Sequence, residues 1–126
     1  MGTIKFSRQR ESIKNYLSQT VEHPNADTVY AYVKREYPNI SLGTVYRNLN
    51  LLADIGEAQK ITTSDGGVRF DGNADPHYHF ICFSCKKVMD LDMENIDYIN
   101  DVASKNFDGH IQSHVALFYG NCGDCL

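Results

Sequence analysis

The stretch NISLGTVYRNLNLLADIGEA (residues 39–58) decides the fold of the first half of the chain. Ser41 can cap the first turn of a helix, and Gly56 stands where helices commonly end in a left-handed residue. Between these two positions, apolar side chains recur at helical spacing, at Val45, Leu49 and Leu52. This periodicity predicts an amphipathic helix that buries one face.

Two further helices are predicted upstream of this stretch. Ser7 can cap the first and Asn25 the second, and Pro38 is expected to end the second. The apolar side chains at helical spacing are Ile13, Tyr16 and Leu17 in the first helix and Ala26, Val29, Tyr30 and Val33 in the second. Three short helices with short connections predict a helix-turn-helix core.

A β-hairpin is predicted directly after the third helix. Ile61 and Thr62 on one side and Val68 and Phe70 on the other flank SDGG (residues 64–67), a strong turn signal. A hairpin that follows three helices in this way is the wing of a winged helix. The first half is therefore predicted to be a winged helix-turn-helix unit.

The second half has the pattern of a small α+β unit. Its apolar runs predict three strands and one helix, in HYHFICF (77–83), KKVMDLD (86–92), MENIDYINDVASKNF (93–107, the helix) and HIQSHVALFYGNC (110–122). In the helix, Ile96, Ile99 and Val102 recur at a spacing of three. So few elements bury little surface alone. We expect the sheet to pair with a second copy, which makes the protein a homodimer.

The predicted fold class is α+β with two domains. Residues 1–71 are predicted to form the winged-helix domain, and residues 77–126 are predicted to form the smaller α/β dimerisation domain, which also holds all four cysteines. The segment GNADP (residues 72–76) is the predicted linker, because Gly, Asn, Asp and Pro all favour turns and loops.

The charge of the chain is unevenly distributed. Residues 1–72 carry nine Lys and Arg against eight Asp and Glu, and residues 73–126 carry three against eight. Bulk charge therefore does not indicate nucleic-acid binding, which must come from a local patch in the first half. No apolar run approaches the roughly 20 residues that span a membrane, and the first ten residues lack an apolar signal core. We expect a cytoplasmic protein without membrane contact.

All four cysteines occur in two C-x-x-C pairs, with the spacing C-x2-C-x36-C-x2-C, formed by Cys82, Cys85, Cys122 and Cys125. In a cytoplasmic chain thiols stay reduced, so metal is favoured over disulfides. Four thiolates complete a closed tetrahedral shell around Zn²⁺, which is typical of a structural site. A redox dithiol and an iron–sulfur cluster are the alternatives.

A second group of metal-binding side chains lies near the first cysteine pair. If residues 77–83 form a strand, His77 and His79 point to one face and Cys82 to the other, because side chains alternate. The histidines then belong to a separate site. The residues that can join them are His23, Asp71 and Asp90. Imidazoles with carboxylates suit Fe²⁺, Mn²⁺ or Zn²⁺, and such a metal would clasp the two domains together.

These residues also have simpler interpretations. A His-x-His pair on a strand can be ordinary polar alternation, and His23 before a proline can be a turn residue. Asp71 and Asp90 can be surface charges. The cluster has chemical meaning only if the side chains converge.

Taken together, these motifs resemble the ferric uptake regulator (Fur) family of bacterial metal-dependent repressors. The similarity rests on HPNADTVY, SLGTVYRNLNLL, GGVRFDG, HYHFICFSCKKV and YGNCGDC in this order, and it extends from about Phe6 to Cys125. It implies a homodimer that binds a pseudo-palindromic operator in double-stranded DNA. It also implies that the chain is a regulator and not an enzyme.

The resemblance also implies which residues meet DNA. The helix from about residue 42 to residue 54 is similar to the recognition helix of the family. Tyr46 and Arg47 fall where bases are contacted, and Asn50 shares their outward face. Arginine can hold guanine with two hydrogen bonds, and tyrosine can pack on thymine methyl groups. The candidate contacts to phosphates or the minor groove are Lys5, Arg8 and Arg10.

The regulatory metal site is similar to that of the peroxide-sensing branch (PerR). By resemblance, its five ligands are His23, Asp71, His77, His79 and Asp90. The iron-sensing branch more often has Glu at the position of Asp90, so Asp here favours peroxide sensing over iron sensing. Bound Fe²⁺ would then react with hydrogen peroxide and oxidise a ligand histidine, His23 or His77, and DNA would be released. Mn²⁺ would support DNA binding without that chemistry.

Two departures from the family pattern are visible. Many members carry another N-terminal helix before the position of IKFS (residues 4–7). Iron-type members often have an H-H-D-H run that serves a further metal site, but Pro76 and Tyr78 replace its outer His and its Asp, so that site is not expected here.

Three other functions are compatible with parts of the sequence. The first keeps the fold and makes the chain an iron- or zinc-responsive (Fur- or Zur-type) repressor without peroxide sensing. The second is a non-haem iron enzyme, which would leave the wing and the recognition helix unexplained. The third is a zinc-containing adaptor without a regulatory metal.

Overall fold

The computed structural model of the protein describes residues 7–63, 67–75 and 77–126. Its elements fall into two compact units, within Met1–Ala74 and within Asp75–Leu126. The first unit contains α1 (Arg8–Gln19), α2 (Ala26–Val33), α3 (Leu42–Asp54), β1 (Gln59–Thr62) and β2 (Val68–Asp71). The second contains β3 (His79–Cys82), β4 (Val88–Asp90), α4 (Tyr98–Ser104), β5 (Leu117–Gly120) and a 3-10 turn (Gly123–Cys125). The predicted α+β class is confirmed.

Each of the first three helices begins at the residue that the sequence predicted. The side chains of Ser7, Asn25 and Ser41 accept hydrogen bonds from backbone N–H groups in the first turns of α1, α2 and α3. These bonds satisfy donors that have no partner within the helix. The three predicted helix starts are confirmed.

The ends of the helices follow from the local backbone. Gly56 has a φ of 78°, and the N–H of Glu57 donates to the carbonyl of Leu52, which closes α3 in a left-handed glycine cap. The predicted end of α2 at Pro38 is wrong, because α2 ends at Val33. The N–H groups of Arg35 and Glu36 then bond three residues back, to Tyr32 and Val33, and tighten the last turn.

The core of the first unit lies between the three helices and the hairpin. Phe70 of β2 is fully buried, as are the inward-facing side chains of all three helices. The buried cluster comprises Ile13, Leu17, Ala26, Val29, Val33, Ile40, Val45, Leu49, Leu52, Ala58 and Phe70. Burying a large apolar side chain contributes roughly 1.5–3 kcal/mol. The apolar stripes predicted from periodicity therefore form one core.

The predicted hairpin is confirmed by its strands. β1 and β2 pair antiparallel, with Thr62 opposite Val68 and Gln59 opposite Asp71. The turn residues 64–66 lie outside the described part of the chain, as does Lys5. The order of three helices and a hairpin is that of a winged helix.

The second unit is built on a three-stranded sheet of order β4-β3-β5. β3 pairs antiparallel with β4 and parallel with β5. The predicted first strand, 77–83, is too long, because β4 ends at Asp90, opposite His79, and the ladder does not extend to His77. The last strand is also shorter than predicted and covers Leu117–Gly120.

The helix of the second unit is shorter than predicted and buries no residue within the described chain. Its start is displaced because the N–H of Ile96 donates to the hydroxyl of Tyr78, 2.9 Å away. Ile99 and Val102 are exposed, so the apolar stripe of this helix does not form a core within one chain.

Gly72 has a packing role beside its place in the predicted linker. A Cβ at this position would lie 2.4 Å from the carbonyl oxygen of Leu17 at the end of α1. Only glycine allows the chain after β2 to pass this close to the helix. The division into 1–71, 72–76 and 77–126 remains a prediction. Among the described helices, none is long and apolar enough to cross a membrane.

Candidate metal centres

The four cysteines converge in the second unit. One sulfur from each of Cys82, Cys85, Cys122 and Cys125 lies within 4.8 Å of the other three. The strand β3 delivers Cys82, and the 3-10 turn after β5 delivers Cys125. Because β3 and β5 are paired, the two C-x-x-C segments leave the same end of the sheet. The set fits a tetrahedral metal shell that ties the chain end to the sheet.

Backbone N–H groups favour thiolate sulfur at this centre. The N–H groups of Cys85 and Cys122 point at the sulfur of Cys82, at 3.4 and 3.5 Å, and lower its pKa to about 6. Hydrogen bonds to the sulfurs of Cys122 and Cys82 raise the pKa of Cys125 to about 12. The lowered pKa of Cys82 favours its thiolate, whereas the raised pKa of Cys125 favours its thiol. A cation is required to bring all four sulfurs to the thiolate form.

A second cluster in the same unit contains His77, His79 and Asp90. The Oδ1 atom of Asp90 lies 2.8 Å from Nε2 of His77 and 3.3 Å from Nε2 of His79. His79 stands opposite Asp90 across the β3–β4 pair. Strand alternation separates His79 from Cys82, whereas His77 lies before the strand and is placed by its own contacts.

The remaining two predicted ligands form a pair in the first unit. Nε2 of His23 lies 3.0 Å from Oδ2 of Asp71, and both side chains are almost fully buried. The other carboxylate oxygen of Asp71 accepts a hydrogen bond of 2.9 Å from the N–H of Asn73. One oxygen is thus held by the backbone, and the other faces the imidazole.

The hydrogen bonds of His23 and His77 decide what these imidazoles can bind. Nδ1 of His23 lies 2.8 Å from the carbonyl oxygen of Val21, and Nδ1 of His77 lies 2.6 Å from that of Asp75. A carbonyl oxygen only accepts, so each Nδ1 carries the hydrogen and donates it. In the neutral ring, Nε2 is then a lone pair that faces a carboxylate oxygen. Such a contact needs a cation between the two atoms, either a proton or a metal ion. Both half-sites therefore fit a divalent metal.

Sequence reasoning missed the groups that orient these histidines. His23 is buried with a left-handed φ of 52°, and the guanidinium of Arg69 donates to its carbonyl oxygen at 3.1 Å. The motif RFD (residues 69–71) carries a signal for this arrangement, because period-two alternation puts Arg69 and Asp71 on one face of β2.

Tyr78 lies between His77 and His79 in the sequence and is buried. Its hydroxyl accepts the N–H of Ile96 and lies 2.6 Å from Nε2 of His114, whose Nδ1 is 2.8 Å from the side-chain oxygen of Asn100. This network anchors the His-x-His segment to the region of α4.

The predicted DNA contacts lie on or near α3. Tyr46 and Arg47 are exposed, and a guanidinium nitrogen of Arg47 donates to the hydroxyl of Thr44 at 3.0 Å. Asn50 is half-buried and accepts a hydrogen bond of 3.2 Å from Lys60 of β1. Arg8 of α1 is exposed, and Arg10 is half-buried.

Comparison with known proteins decides the family. The sequence matches the ferric uptake regulator family over residues 2–119. The chain belongs to the ferric uptake regulator family. Members of this Fur family are metal-responsive repressors. The match confirms the predicted resemblance, and solved structures of the family confirm the predicted fold class.

Individual relatives refine the comparison. The peroxide-responsive repressor PerR of Staphylococcus epidermidis is 35% identical over 122 residues, which is 97% of this chain and 81% of the relative. The peroxide stress regulator of Campylobacter jejuni superposes with a TM-score of 0.79 at 31% identity. The matched region covers 93% of this chain and 88% of the Campylobacter jejuni chain. The Helicobacter pylori ferric uptake regulator, described as having three functional metal-binding sites, has a TM-score of 0.81 at 26% identity, over 97% and 82% of the two chains.

Proposed function

We propose that this Fur-family protein is a dimeric transcriptional repressor that needs a bound divalent metal and responds to hydrogen peroxide. The observation that carries the proposal is that an imidazole Nε2 faces a carboxylate oxygen at 2.8–3.0 Å in two pairs, the buried His23–Asp71 pair and the more exposed His77–Asp90 pair. The relative PerR of Staphylococcus epidermidis, which is named peroxide-responsive, supports the choice of signal.

The proposed regulatory site joins the two half-sites. His23 and Asp71 supply ligands from the winged-helix unit, and His77, His79 and Asp90 supply ligands from the dimerisation unit. A metal bound by both would hold the two units in one arrangement, which is how a small ion can control DNA binding. Three nitrogen and two oxygen ligands suit Fe²⁺ and Mn²⁺.

The protein residues have distinct tasks in the proposed response. The carbonyl groups of Val21 and Asp75 keep the Nδ1 hydrogens in place, so that each Nε2 is available as a ligand. Fe²⁺ held by these residues would activate peroxide so that one of its oxygen atoms is added to a ligand histidine and the other leaves as water, with the imidazole supplying the two electrons. An oxidised His23 or His77 would no longer offer the same nitrogen to the metal, so the metal would no longer connect the two units. Each site reacts once, so the protein acts as a sensor and not as an enzyme.

The cysteine cluster is proposed to bind one structural Zn²⁺. All four positions of the shell would be filled by sulfur, which leaves no open position for peroxide chemistry. Its role is to join the end of the chain to β3 and thereby support the sheet of the proposed homodimer.

The proposed DNA surface is centred on α3. Tyr46, Arg47 and Asn50 are proposed to contact bases in the major groove. Phosphate or minor-groove contacts are assigned to Lys5, Arg8 and Arg10. Two copies in a dimer would read the two halves of a pseudo-palindromic operator.

The test combines mass spectrometry with DNA binding. The full-length zinc-containing protein is loaded with Fe²⁺ or Mn²⁺ and treated with hydrogen peroxide. We expect one added oxygen on a peptide that contains His23 or His77, together with loss of DNA affinity, in the Fe²⁺ form alone. Unmodified histidines and unchanged DNA binding in the Fe²⁺ form would refute peroxide sensing.

The second candidate is an iron- or zinc-responsive repressor of the same fold. The TM-score of 0.81 to the Helicobacter pylori ferric uptake regulator favours it. It predicts metal-specific DNA binding that ignores peroxide, so the same experiment separates the two.

A further inference from the structure

The loop between α1 and α2 is held by three consecutive residues of β2. The side chain of Arg69 reaches the carbonyl oxygens of Glu22 and His23, at 3.5 and 3.1 Å. The N–H of Phe70 donates to the carbonyl oxygen of Pro24 at 2.9 Å. Asp71 faces the imidazole of His23. All of these contacts lie within the first unit.

The backbone of His23 is unusual. Its φ of 52° lies in the left-handed region, which is unfavourable for a residue with a Cβ. Strained backbone persists only where the surroundings stabilise it. The side chain of His23 is nevertheless buried and faces Asp71, so this conformation is what presents the imidazole.

Arg69 has the geometry to stabilise this conformation. Arg69 and Asp71 are two residues apart on β2 and share one face of the strand. Arg69 donates a hydrogen bond to the backbone carbonyl oxygen of His23, and Asp71 faces the imidazole ring of the same residue. The half-buried guanidinium is a planar group with several N–H donors, which suits it to bridge adjacent carbonyl oxygens.

We propose that Arg69 is a positioning residue for the metal ligand His23. It does not touch the metal. It fixes the left-handed turn that aims Nε2 of His23 at the metal position beside Asp71. This inference rests on the proposed function, because it assigns a role at the proposed regulatory site.

The sign of the expected effect separates positioning from electrostatics. Arg69 carries a positive charge close to the proposed cation site. If its charge were the only factor, removing it would strengthen binding of a divalent cation. If Arg69 positions His23, removing it weakens binding, because the imidazole is no longer held ready.

The experiment measures Mn²⁺ affinity by electron paramagnetic resonance in full-length, zinc-containing protein. We expect Arg69→Gln to weaken Mn²⁺ binding by about 10-fold or more, the range typical of groups that orient metal ligands. Arg69→Lys keeps the charge without the planar donor pair and is expected to show an intermediate loss. Arg35→Gln removes an exposed arginine of the same unit and is the matched control.

A second measurement does not depend on metal. Backbone chemical shifts of His23, recorded by NMR on metal-free protein, report whether its left-handed conformation persists. We expect this signature to be lost in Arg69→Gln and kept in Arg35→Gln, with the other core resonances of the first unit unchanged. Retention of the signature in Arg69→Gln would overturn the positioning role even if metal affinity could not be measured.

The outcomes also separate this inference from the proposed function. Unchanged Mn²⁺ affinity in His23→Ala would overturn the proposed ligand set and, with it, the role of Arg69. A clear loss in His23→Ala combined with unchanged or tighter binding in Arg69→Gln would overturn the positioning role alone.

Discussion

The Oδ1 atom of Asp90 lies 2.8 Å from Nε2 of His77, and the same oxygen lies 3.3 Å from Nε2 of His79. One carboxylate at the end of β4 therefore faces both imidazoles. The Asp90 side chain is about half exposed, whereas His79 is buried. The carboxylate is thus the most solvent-exposed of the three proposed ligand groups of this cluster.

Lengthening this carboxylate is expected to separate metal binding from peroxide chemistry. In Asp90→Glu the extra methylene would change the reach of the carboxylate toward a metal held by His77 and His79, and a longer carboxylate could hinder access of peroxide to that metal. We expect Mn²⁺-dependent DNA binding to persist and Fe²⁺-dependent histidine oxidation to slow by about 10-fold or more. Peptide mass spectrometry over a peroxide time course measures this rate.

The exposed neighbour Asp92 supplies the control for that experiment. Asp92→Glu makes the same chemical change without touching the proposed site, and its oxidation rate should equal that of the parent. Equal rates in Asp90→Glu and the parent would instead support the iron- or zinc-responsive alternative.

Removing an imidazole of the cluster is expected to abolish tight regulatory-metal binding. His77→Ala deletes one proposed ligand and leaves Asp90 with one histidine partner fewer, so we expect Mn²⁺ affinity to fall by about 100-fold or more. His110→Ala removes an exposed histidine outside the cluster and should bind Mn²⁺ like the parent. Titration calorimetry provides the affinities, and similar values for the two variants would contradict the ligand assignment.

Zinc binding to the cysteine cluster is expected to depend on pH in a defined direction. The pKa of Cys82 is lowered to about 6, below the usual 9.0, so its thiolate stabilises the folded metal-free protein. That contribution is fully present above pH 9.0 and is lost as the pH falls through about 6. Zinc affinity should weaken over the same acidic range, because protons compete for sulfur.

Proton release tests the same site directly. Because Cys82 is already a thiolate at pH 7.5, binding of one Zn²⁺ to the reduced metal-free protein should release fewer than four protons. A pH-indicator dye measures this number. Cys122→Ser should lose the bound zinc and lower the melting temperature, and a variant that keeps zinc at full affinity would argue against a four-cysteine shell.

Arg47 is expected to contribute to operator recognition. Its side chain is exposed on α3, where it can reach a guanine, so Arg47→Ala should cost about 1–3 kcal/mol of binding free energy. Fluorescence anisotropy at fixed salt measures the affinity. Arg35→Ala removes an exposed arginine that lies after α2, and an equal loss in that variant would show that Arg47 acts through bulk charge alone.

Gly72 is expected to be required for stability. A methyl group there would lie 2.4 Å from the backbone of Leu17, so Gly72→Ala must displace α1 or the chain after β2. We expect a loss of about 1–3 kcal/mol in the free energy of unfolding, comparable to overpacking a core. Gly123→Ala adds the same methyl group where no atom lies within 4 Å and should melt like the parent. Equal melting temperatures would contradict the packing role.

Local chemistry determined much of the fold from the sequence alone. Ser7, Asn25 and Ser41 start helices because a short polar side chain can satisfy nearby N–H groups. Gly56 ends α3 because it adopts a positive φ without a Cβ penalty. The spacing of the four cysteines indicated a closed metal shell. The caps, the glycine turn and each C-x-x-C pair depend on residues close together in the chain, although the two cysteine pairs are separated by 36 residues.

The length of the elements in the second unit depended on pairing. The predicted strand over 77–83 has the right composition, but β4 stops opposite His79 and limits the ladder. The hydroxyl of Tyr78 takes the N–H of Ile96 and delays the start of α4. Such partners are far apart in sequence, so periodicity alone does not reveal them.

The orientation of the candidate ligands was also a result of tertiary structure. The sequence indicated His23 and Asp71 as candidate ligands but assigned no role to Arg69 and did not show that the three residues meet. Only folding brought the 22–24 loop onto β2, where Arg69 holds the backbone of His23 and Asp71 faces its ring. Sequence determines which groups can bind a metal, but the contacts between distant segments decide which nitrogen is presented and toward which oxygen.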